Sequence, residues 1–81
     1  MRWIPPPQGW VKINVDGAFS TESCKGGIEV VIRDSEGQVL LSSWRVIFKA
    51  DSAEEVEALA CKEGVQLAGE WVHMSAILET V

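Results

Sequence analysis

Along Trp10–Phe19 the side chains alternate: Val11, Ile13 and Val15 fall on one face, and Lys12, Asn14 and Asp16 on the other. That period of two is the signature of a half-buried strand. The alternation stops at Asp16-Gly17-Ala18, so the stretch predicts a strand that delivers a carboxylate at its end. Gly17 would let the chain turn away and adds no Cβ beside that carboxylate. Ser20–Gly27 is polar, closes on a pair of glycines and reads as a turn. Ile28–Arg33 and Gln38–Ile47 then flank Asp34-Ser35-Glu36-Gly37, predicting an antiparallel hairpin with Gly37 in the left-handed position.

A helical period takes over at Ser52. Its hydroxyl suits the N-cap, Glu55 is placed to reach back to the Ser52 N–H, and Glu54 and Glu55 complement the positive end of the helix dipole. The helix should run from about Ala53 to Gly69 or slightly beyond. Gly64 within it costs about 1 kcal/mol relative to alanine, a cost that makes sense if the helix backbone lies close against the sheet there. Ser75–Val81 is the fourth strand candidate. Strand, hairpin, helix and strand predict an α/β layer: a mixed sheet in the order 3-2-1-4, with the helix on one face and the last strand parallel to the first through a right-handed crossover. Residues 1–9, with Pro5-Pro6-Pro7 between Trp3 and Trp10, read as a proline-rich lead-in to a domain spanning 10–81.

Counting by threes and fours from Glu57 along the helix reaches Ala53, Ala60, Cys61, Gly64, Val65 and Ala68, all small or apolar. This places Glu57 in the stripe expected to face the sheet. A glutamate there is costly unless paired, hydrated or bound to a cation. Either it converges with Asp16 on a hard divalent ion such as Mg²⁺, which accepts one or two carboxylates plus waters, or it rims the helix and reaches water.

Composition narrows the reading. At 81 residues the chain makes one domain or part of one. Seven basic against twelve acidic side chains give a net charge of −5, so no broad positive field drives non-specific nucleic-acid binding. The two cysteines, Cys24 and Cys61, are far apart and without a histidine cluster, arguing against a zinc site or disulfide framework and for a reducing intracellular setting. No apolar run approaches the roughly 18 residues of a membrane span, and the first residues carry no signal-peptide core, so a soluble protein is expected.

Taken together, Lys12-Ile13-Asn14-Val15-Asp16-Gly17-Ala18, Gly26-Gly27-Ile28, Val31-Ile32-Arg33-Asp34, Gly37, Glu57-Ala58-Leu59-Ala60, Glu63-Gly64 and Ile77-Leu78-Glu79-Thr80 resemble ribonuclease H-like domains of plant proteins related to retroelement reverse transcriptases. The resemblance covers the chain from Trp3 onward. It implies a metal-dependent nuclease of RNA in RNA–DNA hybrids, with Asp16 and Glu57 as catalytic, Mg²⁺-binding carboxylates. It also implies a third acid where this sequence has Val81, and further elements beyond; the chain thus reads as the N-terminal portion of the fold. Glu29 stands where the related sequences usually have glycine. Because two-metal cleavage needs several carboxylates, the expectation is weak or absent Mg²⁺ binding and no catalysis. The alternative is a non-catalytic interaction module whose exposed fourth-strand edge pairs with another protein chain.

His73 reads as a residue of the helix-to-strand loop. Trp44 and Trp71 are expected to pack rather than stack on bases, and Cys61 to be a small core residue without a general base.

Overall fold

The computed structural model describes residues 2–80. Five elements follow one another: β1 (Trp10–Ser20), β2 (Lys25–Arg33), β3 (Val39–Ile47), α1 (Ala53–Trp71) and β4 (Ser75–Thr80). The strands form one mixed sheet in the order β3-β2-β1-β4. β1 pairs antiparallel with β2 and parallel with β4, and β2 pairs antiparallel with β3. Order and directions are those expected from the sequence; Val81, the last residue of the expected fourth strand, lies outside the described residues.

The alternation of β1 sets the layers. Val11, Ile13 and Val15 are buried with Ile28, Val30 and Ile32 of β2 against Val56, Ala60 and Ala68 of α1. Each fully buried valine or isoleucine contributes roughly 1.5–3 kcal/mol relative to exposure, so this sheet-on-helix contact supplies most of the apolar drive. Where strand and helix approach most closely there is no room for a side chain. A Cβ on Gly64 would sit 2.7 Å from Val15 Cγ1 and 3.0 Å from Ile13 Cγ2.

β1 does not end at Asp16, as its alternation suggested. It continues to Ser20 because Gly17, Ala18 and Phe19 pair in register with Ile28, Gly27 and Gly26 of β2. The polar turn shrinks accordingly to Thr21–Cys24, with Cys24 in the left-handed region at φ 55°. The second turn has the expected chemistry. Asp34 Oδ1 accepts from the N–H groups of Glu36 and Gln38, each at 2.9 Å, and Gly37 takes φ 85°.

Ser52 caps α1, its Oγ accepting from Glu55 N–H at 3.1 Å. The return bond of the predicted box differs: Glu55 Oε2 accepts from Asp51 N–H at 3.0 Å, one residue before the expected donor. At the other end the N–H groups of Val72 and His73 both reach Ala68 O, and His73 takes φ 53°, the left-handed position usually given to glycine after a helix.

The proline-rich lead-in is packed on the sheet. It folds back over the helix-free face, where Trp3 Nε1 donates to Asn14 Oδ1 at 3.3 Å and the Lys12 ammonium donates to the Ile4 carbonyl. The same ammonium lies 5.6 Å from the centre of the Trp3 ring.

Candidate functional site

The two carboxylates singled out from the sequence are carried by β1 and α1, and the glycine between them sets their relation. A Cβ built on Gly17 would lie 3.1 Å from Val56 Cγ1, 3.3 Å from the Val56 carbonyl oxygen and 3.4 Å from Glu57 Cα. The backbone directly after Asp16 therefore runs close to the helix at Val56 and Glu57, and a Cβ at position 17 would be accommodated only if Val56 gave way by a few tenths of an ångström.

The helix keeps most of the stripe counted from Glu57 but not Glu57 itself. The buried stripe is Val56, Ala60, Gly64 and Ala68: the last three are those counted, but in the first turns Val56 takes the inward position and Glu57 is exposed at the rim. Burying the bulky Val56 beside Gly17 and Gly26 is favourable, whereas turning Glu57 inward would strand a charge. On one flank of α1, Glu63 Oε1 accepts from Arg45 Nε of β3 at 2.9 Å. Glu57 lies on the opposite flank, toward β4.

Asp16 is exposed, and it is the first residue of β1 beyond the described pairing with β4, which ends at Val15 and Thr80. On its other side it stands directly opposite Glu29, which in turn stands opposite Trp44 of β3. Asp16, Ala18, Gly27, Ile28, Glu29 and Trp44 line a shallow groove of about 170 Å³. Like charges directly opposite on antiparallel strands repel, so Asp16 and Glu29 concentrate negative potential there. Among the described residues, no three His, Cys, Asp or Glu side chains gather as a metal centre.

Trp44 and Trp71 do not pack as expected, each being 70% exposed. Trp44 points off the uncovered part of the sheet, and Trp71 occupies the last position of α1, past its buried stripe. His73 lies in the helix-to-strand loop, and the half-buried Cys61 packs against the core. Both placements are those read from the sequence.

A second polar cluster escaped that reading. Glu79 of β4 accepts from Asn14 Nδ2 at 2.9 Å and from Lys12 Nζ at 3.3 Å, although Lys12 is only 5% exposed. Asn14 foremost, then Lys12, hold the Glu79 carboxyl below its ordinary pKa. The signal was available in principle, because parallel pairing of the fourth strand with β1 puts Glu79 level with Asn14. Burial of Lys12 could not be foreseen, since it depends on the lead-in covering it.

A family model described as reverse transcriptase-like matches residues 14–80, from within β1 to the end of β4. No curated protein and no solved structure matches the chain.

Proposed function

The chain belongs to the reverse transcriptase-like family of ribonuclease H-like domains, and from that premise we propose that it is a nucleic-acid-binding domain whose Asp16 and Glu57 hold one hydrated Mg²⁺ weakly, without hydrolysing RNA in an RNA–DNA hybrid. The observation that carries this reading is the close approach of Gly17 to α1 at Val56 and Glu57, which brings the strand bearing Asp16 next to the helix bearing Glu57. The Asp16 side chain itself starts from the opposite, helix-free face with Glu29 and Trp44, so a shared ion would have to sit past the described end of β4.

The donors fit the ion in kind. Both are carboxylates, both are open to water, and Mg²⁺ keeps several waters while taking one or two carboxylates. They do not suffice for two ions, which together stabilise the attacking and leaving oxygens in phosphodiester cleavage. When bound, a single Mg²⁺ would supply a Lewis acid for a phosphate oxygen. Asp16 and Glu57 would fix its position, and Gly17 would keep their elements in contact. Glu29, opposite Asp16, adds attraction for a cation and repulsion for a phosphate. The net charge of −5 gives the nucleic-acid backbone no broad compensating field, so binding should be weak and steeply salt-dependent.

The test is a gel assay of a labelled RNA–DNA hybrid with the purified chain in Mg²⁺ or Mn²⁺, alongside an NMR titration with Mg²⁺. The expected result is no cleavage, with resonance changes centred on Asp16 and Glu57. Metal-dependent cleavage lost in Asp16→Asn or Glu57→Gln would show the domain to be an active nuclease. Resonance changes centred elsewhere would remove the site assignment.

A further inference from the structure

Among the described residues Lys12 is the one charged side chain that is buried, although it lies on the face of β1 that carries no helix. The lead-in covers it, with Pro6 buried and Trp3 half-buried. Its ammonium has three partners: the Ile4 carbonyl, Glu79 Oε2 at 3.3 Å and the Trp3 ring, whose centre is 5.6 Å away. A buried ammonium is costly unless such partners replace water, so the lead-in and β4 are both tied to β1 through this one charge.

Asn14, the next residue on that face, is used in the same way. Its Oδ1 accepts from Trp3 Nε1 at 3.3 Å, while its Nδ2 donates to Glu79 Oε1 at 2.9 Å. Each of these two β1 side chains therefore bonds the lead-in on one side and Glu79 of β4 on the other. Trp3 and Glu79 are joined by two parallel relays.

The attachment is of a kind that opens without unfolding the sheet. Pro5, Pro6 and Pro7 offer no N–H groups, and among the described residues no backbone hydrogen bond joins the lead-in to a neighbouring strand. The bond from Trp10 N–H to Pro7 O, at 3.0 Å, only closes the bend into β1 around Gly9, which takes φ 85°. Side-chain contacts hold the segment, whereas continuous ladders hold the strands, so the segment has the lower opening free energy.

We propose that residues 3–9 form a strap that docks and lifts as a unit, and that its docking is coupled to the order of the end of β4 through Lys12 and Asn14. Docked, the strap excludes water from the Lys12–Glu79 pair and fixes the Asn14 amide. Lifted, it returns Lys12 to water, where its attraction for Glu79 is screened. Coupling between two equilibria is reciprocal, so loosening Glu79 loosens the strap by the same factor. The relays end one residue before Thr80, whose register partner Val15 precedes Asp16, so the strap governs the order of the strand ends beside Asp16. The coupling needs neither metal nor nucleic acid, and it stands or falls apart from the function proposed above.

Hydrogen exchange followed by NMR, in chelator and without nucleic acid, provides the test. In Trp3→Ala the β4 amides bonded to β1 and the Lys12 ammonium protons should exchange roughly fivefold faster or more, while the amides shared by β2 and β3 keep their rates. In the reverse direction, Glu79→Ala should speed exchange of the Trp3 indole N–H by a similar factor. Unchanged β4 amides in Trp3→Ala, or an unchanged Trp3 indole in Glu79→Ala, would overturn the coupling. Acceleration spread evenly over all strands, or loss of the fold in Trp3→Ala, would show the segment to be part of the core and not a strap.

Discussion

Gly64 of α1 lies so close to Val15 of β1 that a Cβ on the glycine would sit 2.7 Å from Val15 Cγ1. Helix propensity favours alanine over glycine by about 1 kcal/mol, yet here the contact opposes it, because Val15 and Ile13 are β-branched, buried and unable to swing aside. Gly64→Ala should therefore destabilise the domain by about 1–2 kcal/mol net. Urea denaturation would measure this, and a gain in stability would mean that the layers separate more readily than their packing implies.

Acid stability should depend on Glu79. Its pKa is depressed in the folded state by Asn14 and Lys12. The stabilisation is therefore fully present above the unfolded glutamate value of about 4.3 and is lost as pH falls through the lower folded value. In Asn14→Ala the Glu79 carboxyl should titrate closer to its ordinary value, and part of the pH dependence of stability below about pH 5 should disappear. A carboxyl-carbon NMR titration of Glu79 in both proteins checks the shift directly.

Ser52→Ala should cost about 1 kcal/mol, because it strips the Glu55 N–H of its acceptor at the helix start. Glu55→Gln should cost less, since an amide oxygen can still accept from the Asp51 N–H. Thermal denaturation of the two variants ranks them, and equal losses would mean that the carboxylate charge at the helix start matters as much as the cap.

Glu29→Gln should stabilise the metal-free domain by about 0.2–1 kcal/mol, by relieving the like-charge pair with Asp16 across β1 and β2. The comparison belongs in chelator at low salt, where surface charge is least screened. If the substitution destabilises instead, Glu29 has a favourable partner that outweighs Asp16.

Local chemistry was enough to write down most of the architecture. Alternation along Val11–Asp16, the Asp34–Gly37 turn, the Ser52 cap and the glycine at 64 each reflect preferences that act within a few residues, and each reappears in the fold. The residue types of the candidate site, Asp16 before Gly17 and Glu57 on the helix, were legible for the same reason. Tertiary structure decided what those residues face. Near the start of the helix Val56 and not Glu57 turned inward, because burying Val56 beside Gly17 and Gly26 outweighs any arrangement that buries Glu57. β1 ran on past Asp16 because β2 offered it partners, leaving Asp16 opposite Glu29. The lead-in folded over Lys12, and Glu79 met Asn14, through contacts between residues up to 67 positions apart. Such contacts leave no local pattern, since their energy arises only when the sheet order has already brought the strands together.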